Sequence, residues 1–315
     1  MTPDKKTILI LGGYGFLGTN ILKFIDDNLC DKYSVIVLDK FQNHPVGINF
    51  RCVKKSYAGD FADNFFLKKV FSNHIDIVLH SLSTTVPVSS RNARYDIETN
   101  LFPTLSVLDF MVENGIKNIV YMSSGGAIYG RGGANRHHED ENVFPISSYG
   151  VVKLTIEKYM MQYAQLFGIE PLIIRLSNPY GPYHFSMRQG VINVAMTKAF
   201  KGERMAVWGS GEGKKDYIYV EDFVRILFKL IQKGVKNEVV NIASGQLLSV
   251  NDIISKVRTM VSSLEVDYED ADNYDASQFS LDTTKLYNII GDYTFCSLNE
   301  GLQKTFEWTK SALNL

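Results

Sequence analysis

The fold is decided by a seven-residue stretch near the start of the chain, Gly12-Gly13-Tyr14-Gly15-Phe16-Leu17-Gly18. It follows an apolar run at Thr7–Leu11 and precedes a segment with helical apolar spacing. Between a strand and a helix, a GxGxxG pattern lets the backbone approach a pyrophosphate and aims the N–H groups of the helix N-terminus at it. The stretch therefore predicts a dinucleotide site, with a glycine-rich turn that binds nothing as the alternative.

Strand-length apolar runs alternate with helical segments through the first half of the chain. We predict strands at Thr7–Leu11, Val35–Leu38, Ile75–Leu79, Asn118–Met122 and Pro171–Leu176, and helices at Thr19–Leu29, Phe65–Phe71, Ile97–Asn114 and Val151–Phe167. Nearly continuous apolar strands are typical of a parallel sheet that is covered by helices on both faces. The sequence thus predicts an α/β protein with a doubly wound, Rossmann-type parallel sheet.

The pattern changes after Asn178, where prolines, glycines and aromatic residues interrupt the alternation. We predict helices at Val191–Phe200, Val220–Gln232 and Val250–Val261, strands at Met205–Trp208, Val239–Ile242 and Leu264–Tyr268, and a terminal helix. Residues 1–178 are expected to form the core of the dinucleotide-binding domain. Residues 179–315 are expected to form mainly a smaller substrate-binding lobe, with some segments returning to the first domain.

Composition excludes several classes of protein. The 315 residues are 45% hydrophobic and 21% charged, with 33 Lys+Arg against 34 Asp+Glu, so we expect no binding of nucleic acid or of an anionic membrane. No apolar run approaches the ~18 residues of a membrane span, and Thr7–Leu11 is too short for a signal-peptide core. Cys30, Cys52 and Cys296 form no CxxC motif, which favours reduced thiols, no metal site and a cytoplasmic location.

Two aspartates and a lysine are candidates for contact with the dinucleotide. Asp39 ends the second predicted strand, 21 residues after Gly18, where a carboxylate binds ribose hydroxyls and repels a 2′-phosphate. The expected cofactor is therefore NAD rather than NADP, although Lys40 next to it would tolerate a phosphate. Asp60 follows a third strand and is a candidate adenine contact, with a helix N-cap as the alternative.

A candidate catalytic group lies further along the chain. Tyr149 and Lys153 have YxxxK spacing, which places both on one face of a helix, and Ser123 and Ser124 directly follow a predicted strand. A neighbouring ammonium and a cationic nicotinamide would lower the pKa of the Tyr149 phenol toward neutrality. Tyr149 is therefore the candidate general base.

Together these motifs resemble the extended short-chain dehydrogenase/reductases, in particular UDP-galactose 4-epimerase-like nucleotide-sugar enzymes. The matching segments are GGYGFLG at 12–18, LD at 38–39, GDF at 59–61, YMSSGGAIYG at 121–130, SYGVVK at 148–153, RLSNPYGP at 175–182, KKDYIYVED at 214–222 and NIASG at 241–245. They run in the order of the family over nearly the whole chain.

The resemblance implies a role for each matching residue. Tyr149 would take the proton of the sugar 4-hydroxyl, Lys153 would hold the nicotinamide ribose, and Ser124, or Ser123 one position earlier, would bind the reacting oxygen. The implied cofactor contacts are Gly12, Gly15, Phe16, Leu17, Gly18, Asp39, Lys40, Asp60, Phe61, His80, Ser81, Leu82, Asn100, Ser123, Tyr149, Lys153 and Ser177. The implied substrate contacts are Ser124, Tyr149, Asn178, Val191, Trp208, Lys215 and Phe279. Alternatives are a turn-capping Ser123, an Asn-Pro turn at Asn178 and a core histidine at His80.

Two glycines favour one reaction within the family. Dehydratases that the chain resembles carry an Asp-Glu pair after the catalytic hydroxyl, and decarboxylases a Glu, whereas this chain has Gly125-Gly126. The resemblance thus implies 4-epimerisation of a nucleotide sugar, most simply of the UDP-glucose/UDP-galactose type, through transient oxidation at C4. Another reductase or dehydratase of this family, or a dinucleotide sensor without catalysis, remains open.

Two observations bear on how the substrate is recognised. Lys215 stands where relatives place a diphosphate-binding Arg, and a second expected Arg is absent from the acidic stretch 270–275. Phe279 falls where epimerases limit bulk at the sugar C2 position, which favours a plain hexose.

The helices near Leu101–Met111 and Val151–Phe167 are apolar on more than one face, which predicts a homodimer. The apolar residues concerned are Leu105, Leu108, Met111, Tyr159, Met160 and Tyr163.

Overall fold

The computed structural model describes residues 5–85, 92–130, 136–270 and 278–314. The strands are β1 (Lys6–Leu11), β2 (Tyr33–Asp39), β3 (Val53–Ala58), β4 (Ile77–His80), β5 (Asn118–Ser124), β6 (Arg136–His137), β7 (Glu170–Leu176), β8 (Asn178–Tyr180), β9 (Met205–Trp208), β10 (Lys214–Tyr219), β11 (Glu238–Ile242), β12 (Leu247–Ser249), β13 (Val266–Glu269) and β14 (Gln278–Leu281). The helices are α1 (Phe16–Asn28), α2 (Asn64–Phe71), α3 (Ala93–Asp96), α4 (Phe102–Glu113), α5 (Gly125–Ile128), α6 (Ser148–Phe167), α7 (Val191–Lys201), α8 (Val220–Gln232), α9 (Val250–Met260), α10 (Thr284–Ile290) and α11 (Leu298–Ala312).

Seven parallel strands form the central sheet, in the order β11-β7-β5-β4-β1-β2-β3. Successive residues of a strand point to opposite faces, so Ile8 and Ile10 of β1 pack with α1 and α8, and Leu9 and Leu11 pack with α2, α4 and α6. All four of these side chains are fully buried. The sheet therefore has a core on each face, which confirms the predicted doubly wound α/β fold.

The helical stretch predicted at Ile97–Asn114 is divided in the structure. It consists of α3, one turn of π-helix at Ile97–Leu101, and α4, and the chain then turns at Gly115, whose φ is +67°. The π-turn widens the helix where it passes the carboxyl end of β4, and Asn100 lies in it. Apolar periodicity does not reveal such a turn, because the pattern continues across it.

Strand β3 had no bounds from the hydrophobic pattern. Its sequence, VKKSYA, is half exposed because β3 is the edge strand of the sheet. An edge strand lacks one neighbouring strand, so polar residues are tolerated there.

A second, smaller body is built mainly from segments after Leu176, and β6 joins its sheet from earlier in the chain. Strands β12, β10, β14 and β6 form one sheet, with β8 beside β10, and β9 pairs with β13. Helices α7, α9 and α11 surround a separate core there, which includes Tyr180, Met196, Tyr217, Ile253 and Leu302. Strand β11 and helix α8 belong instead to the central sheet and its α1 face. The carboxyl ends of the central strands therefore face this second body.

Candidate functional site

The glycine turn between β1 and α1 depends on close packing of its own backbone. Gly12 has a φ of +79°, and a Cβ on Gly18 would lie 2.2 Å from the carbonyl oxygen of Gly12. No residue other than glycine fits at position 18 without moving the turn. Gly15 is the N-cap of α1 and has no side chain to cap the helix, so the first N–H groups of α1 are left for a ligand. The turn thus fits a bound diphosphate.

Asp39 is fixed at the carboxyl end of β2 beside this turn. Its Oδ2 accepts a hydrogen bond from the backbone N–H of Tyr14 at 2.9 Å, and the residue is 7% exposed. The adjacent Lys40 directs its Nζ over the ring of Phe41, 4.9 Å from the centroid. The carboxylate is therefore held where a ribose of a dinucleotide on the turn would lie, and Lys40 is engaged elsewhere.

The chain is expected to bind NAD more tightly than NADP because a 2′-phosphate would meet the Asp39 carboxylate. Asp39→Asn is expected to reduce this preference, whereas Lys40→Ala, its control, is expected to leave it nearly unchanged. Calorimetric titration of each variant with both dinucleotides measures the preference. Equal or tighter binding of NADP by the wild-type protein contradicts the prediction.

Asp60 does not cap a helix, so that alternative is wrong. Its Oδ1 accepts a hydrogen bond from the N–H of Ala62 at 2.8 Å in the loop after β3, and Asp63 caps α2 through the N–H groups of Phe65 and Phe66. Asp60 is exposed and free to meet a ligand on its outer side. Its role as an adenine contact stays a prediction.

His80 is a core histidine. It is 2% exposed, its Nε2 lies 3.0 Å from Thr104 Oγ1, and its ring meets the edges of the Phe61 and Tyr121 rings. Burial, with a smaller contribution from Lys153, lowers the pKa of His80 to about 3. The side chain is therefore neutral and supports the site from behind, which corrects its assignment to the loop over the cofactor.

The loop after β4 is held in place by short polar contacts. Ser81 Oγ donates to the carbonyl oxygen of Leu11 at 2.8 Å, and Leu82 packs against Gly12. Asn100 Oδ1 accepts from the N–H of Thr84 at 2.9 Å, and its Nδ2 donates to Thr84 Oγ1 at 2.7 Å. Asn100 thus shapes this loop beside the glycine turn.

Ser124, Tyr149 and Lys153 come together at the ends of β5 and α6. Ser124 makes a side-chain hydrogen bond with Tyr149. Lys153 Nζ donates to the carbonyl oxygen of Met122 at 2.8 Å and lies 5.7 Å from the centroid of the Tyr149 ring. Ser147 caps α6 through the N–H of Gly150, so the helix begins immediately before Tyr149. A phenol, a hydroxyl and an ammonium therefore lie close together at this end of the sheet.

The protein alone does not acidify Tyr149. Burial raises the pKa of its phenol to about 12, against a smaller lowering by the Ser124 hydrogen bond. Burial also lowers the pKa of Lys153 to about 8, and the charge of Glu157 opposes that lowering. The expected shift of the phenol pKa toward neutrality also requires a cationic nicotinamide and stays a prediction; in the chain by itself, burial disfavours the charged forms of both groups.

Ser123 is not part of this group. Its Oγ donates to Glu157 Oε1 at 2.5 Å in the buried interior between β5 and α6. The Ser123 hydroxyl is thus engaged by Glu157, and it is Ser124, the last residue of β5, that makes the hydrogen bond with Tyr149. The structure selects Ser124 and leaves Ser123 only its backbone for a cofactor contact.

The predicted substrate residues lie along the second body. Asn178 begins β8 and donates its Nδ2 to the carbonyl oxygen of Asp216 at 2.8 Å, so the Asn-Pro turn is wrong. Lys215 and Phe279 are partners in the neighbouring strands β10 and β14. Phe279 is buried and stacks on His137 at 5.2 Å. Its predicted effect on sugar bulk stays a prediction.

The three remaining predicted residues are Ser177, Val191 and Trp208. Ser177 is buried at the end of β7, and Val191 is the first residue of α7. Trp208 ends β9 with 63% of its surface exposed.

The sequence reasoning missed three buried polar residues: Tyr121, Glu157 and Arg175. Tyr121 lies under Lys153, whose Nζ is 4.6 Å from the ring centroid, and Glu157 pairs with Arg175 at 2.8 Å. The spacing of Tyr149, Lys153 and Glu157 at successive helical turns was the signal that could have revealed Glu157.

Over the described ranges, no cluster of three or more His, Cys, Asp or Glu could hold a metal ion. In the same ranges, every helix is too short or too polar to cross a bilayer.

Known proteins resemble the chain over its whole length. A Methanocaldococcus jannaschii protein named "Putative UDP-glucose 4-epimerase" is 30% identical over 308 residues, covering 96% of this chain and 98% of that protein. The Escherichia coli dTDP-4-dehydro-6-deoxyglucose reductase is 27% identical, covering 96% of this chain and 98% of that protein. The crystal structure of Thermotoga maritima UDP-glucose 4-epimerase with UDP-glucose superimposes with a TM-score of 0.88 at 30% identity, covering 98% and 99% of the two chains.

A family model agrees with these similarities and with the geometry of the site. It describes the NAD dependent epimerase/dehydratase family and matches residues 8–243, which include the glycine turn, Asp39 and the catalytic group. The resemblance drawn from the motifs is confirmed. The chain belongs to the NAD-dependent epimerase/dehydratase family of nucleotide-sugar enzymes, and its cofactor is NAD.

Proposed function

We propose that the protein is a nucleotide-sugar 4-epimerase that acts on a UDP-sugar of the glucose/galactose type. The observation that carries this proposal is the catalytic group of Ser124, Tyr149 and Lys153 with no acid beside it at positions 125 and 126. A Cβ on Gly125 would lie 2.6 Å from Leu281 Cδ1 and 3.2 Å from the carbonyl oxygen of Leu176. A side chain at position 125 would require Leu281 to move, and neither Gly125 nor Gly126 carries a carboxylate. Elimination of water or of carbon dioxide would lack its acid or base there.

Proton transfer at C4 is the task of the three side chains. NAD, when bound, supplies oxidation of the C4 carbon and its reduction again. Tyr149 Oη removes the proton of the C4 hydroxyl and later returns one, while Ser124 Oγ donates a hydrogen bond to the same oxygen. The Lys153 ammonium favours the phenolate form of Tyr149. No other acid or base is required, because the proton returns from the group that took it.

The nucleotide half of the substrate is proposed to bind on the second body. Trp208 offers an exposed aromatic face for a base, and Lys215 and Val191 lie on the elements β10 and α7. Lysine gives one point charge to a diphosphate where arginine would give a bidentate contact. Lys214 precedes Lys215 directly, Arg188 lies three residues before Val191, and both side chains are exposed. We propose that they supply further positive charge to the diphosphate.

Reduction of a 4-keto sugar is the second candidate. It is favoured by the 27% identity to the Escherichia coli dTDP-4-dehydro-6-deoxyglucose reductase over 96% of this chain. The two reactions differ in cofactor use, since an epimerase regenerates its dinucleotide in every cycle and a reductase consumes reduced dinucleotide with each product.

The deciding experiment supplies a panel of UDP-, dTDP- and GDP-sugars and separates the products chromatographically, with reduced dinucleotide followed by absorbance. We expect interconversion of C4 epimers of a UDP-hexose with no net change in absorbance. Tyr149→Phe serves as the inactive control. Stoichiometric consumption of reduced dinucleotide, or products that have lost water, would contradict the epimerase proposal.

We further propose a homodimer through the outer faces of α4 and α6. The residues from which the sequence predicted this dimer need correction, since Leu108, Met111 and Met160 are fully buried within the chain. The exposed large apolar side chains on α3, α4 and α6 have exposed fractions from 37% to 64% and are Tyr95, Phe102, Val151, Tyr159, Leu166 and Phe167. Light scattering at micromolar concentration is expected to give twice the mass of the chain. A monomer in that measurement contradicts the dimer.

A cytoplasmic location is also proposed. Cys30, Cys52 and Cys296 are all free thiols, which is typical of a reducing compartment.

A further inference from the structure

A buried carboxylate connects the strand and the helix that carry the candidate catalytic group. Glu157 is 2% exposed and follows Lys153 by one turn on α6. Its Oε1 accepts from Ser123 Oγ at 2.5 Å, and its Oε2 accepts from Arg175 Nη2 at 2.8 Å. Ser123 directly precedes Ser124 at the end of β5. One side chain therefore fixes the end of β5 against α6.

Arg175 extends this connection across the sheet. It is 4% exposed on β7, and its Nη1 donates to Tyr129 Oη at 2.9 Å and to the carbonyl oxygen of Glu139 at 3.2 Å. Tyr129 Oη in turn bonds to Asn241 Oδ1 at 2.9 Å on β11. The Arg175 cation pairs with the Glu157 carboxylate on α6, which offsets the cost of burying each charge.

The other groups that face Lys153 are uncharged near neutral pH. From β4 comes His80, whose pKa burial lowers to about 3, and from β5 comes Tyr121, whose pKa burial raises well above its ordinary value. Tyr149 on α6 has its pKa raised to about 12. These three side chains line the small cavity beside Lys153 and supply no negative charge.

The wall formed by the π-turn and α4 is also uncharged. Asn100 and Thr104 are the residues that it contributes to the cavity. Burial lowers the pKa of Lys153, and the charge of Glu157 opposes that lowering. Among the described residues around Lys153, the negative charge that favours its protonated form thus comes from Glu157.

We propose that Glu157 is a positioning residue of this enzyme, whose carboxylate holds the Ser124 strand end against α6 and keeps Lys153 protonated at the pH of catalysis. The role assigned to Lys153 rests on the proposed function. The effect on the protonation of Lys153 is a property of the chain alone and is measurable without a substrate.

The test is Glu157→Gln, which keeps the size of the side chain and one acceptor oxygen but removes the charge. The titration of Lys153 is followed by NMR in protein with isotope-labelled lysine, the resonance being assigned with Lys153→Met. We expect the midpoint to fall by on the order of one pH unit. The alkaline limb of the kcat/KM profile is expected to move to lower pH by the same amount.

Three further variants separate this role from a structural one. Glu157→Asp keeps the charge, so its Lys153 midpoint is expected to lie close to that of the wild type. The double variant Glu157→Gln/Arg175→Met removes both charges, so its free energy of unfolding is expected to recover toward the wild-type value while the Lys153 midpoint stays low. Asp222→Asn removes another buried, hydrogen-bonded acid, on α8, and is expected to leave Lys153 unchanged.

An unchanged Lys153 midpoint in Glu157→Gln overturns the proposal. If that variant does not fold, the double variant decides by the same measurement, and a wild-type midpoint there also overturns it. A wild-type protein that epimerises no nucleotide sugar would contradict the proposed function only, because the titration is made on the protein without substrate.

Discussion

Tyr149→Phe is expected to lower turnover of a 4-hydroxyl nucleotide sugar by ~10²–10⁴-fold, the usual contribution of general acid–base catalysis. The phenol is the group that Ser124 contacts, and the substitution removes its oxygen with little change in volume. The fold and the retention of NAD are expected to persist. Single-turnover and steady-state rates at saturating substrate, compared with the wild-type protein, measure the loss.

Tyr163→Phe is the matched control for that substitution. Tyr163 lies on the same helix and makes its hydrogen bond to Asp109 at 2.5 Å, away from the catalytic group. We expect wild-type turnover in this variant. Wild-type turnover in Tyr149→Phe would mean that Tyr149 is not the base, and the epimerase proposal would lose its main support.

Lys153→Ala is expected to reduce turnover at least as far, because it removes both a ribose contact and the cation beside the phenol. It is also expected to weaken the binding of NAD, which calorimetry measures directly. Lys158→Ala, an exposed lysine on the same helix, is the control and is expected to behave like the wild type. A Lys153→Ala protein with the turnover and the NAD affinity of the wild type would contradict both assigned roles.

The pKa of Lys153 predicts opposite effects of pH on activity and on stability. Burial lowers that pKa from 10.5 to about 8, so between these values the unfolded chain binds more protons than the folded one. Stability due to Lys153 therefore rises with pH across this window, since ∂ΔG/∂pH follows the difference in bound protons. Activity that needs the ammonium falls over the same range. Chemical denaturation of the wild type and of Lys153→Ala at several pH values measures how the contribution of Lys153 to the free energy of unfolding changes with pH.

The sequence by itself determined the fold, the identity of the cofactor and the position of the glycine turn. The glycine turn and Asp39 are local features, because each follows a strand directly and the carboxyl ends of parallel strands meet at one edge. Apolar runs located β1, β2, β4, β5 and β7 because buried strands exclude polar residues. The helical spacing of Tyr149 and Lys153 likewise fixed their common face without reference to the rest of the chain.

Only the tertiary structure decided the finer assignments. Ser123 and Ser124 are adjacent and chemically identical, and only the packing of α6 against the end of β5 shows that Ser123 bonds to Glu157 and Ser124 to Tyr149. The pairing of Glu157 with Arg175 spans 18 residues and follows from the packing of α6 on β7. The pKa of Tyr149 depends on how much water reaches the phenol, and burial is a property of the assembled chain rather than of any local pattern.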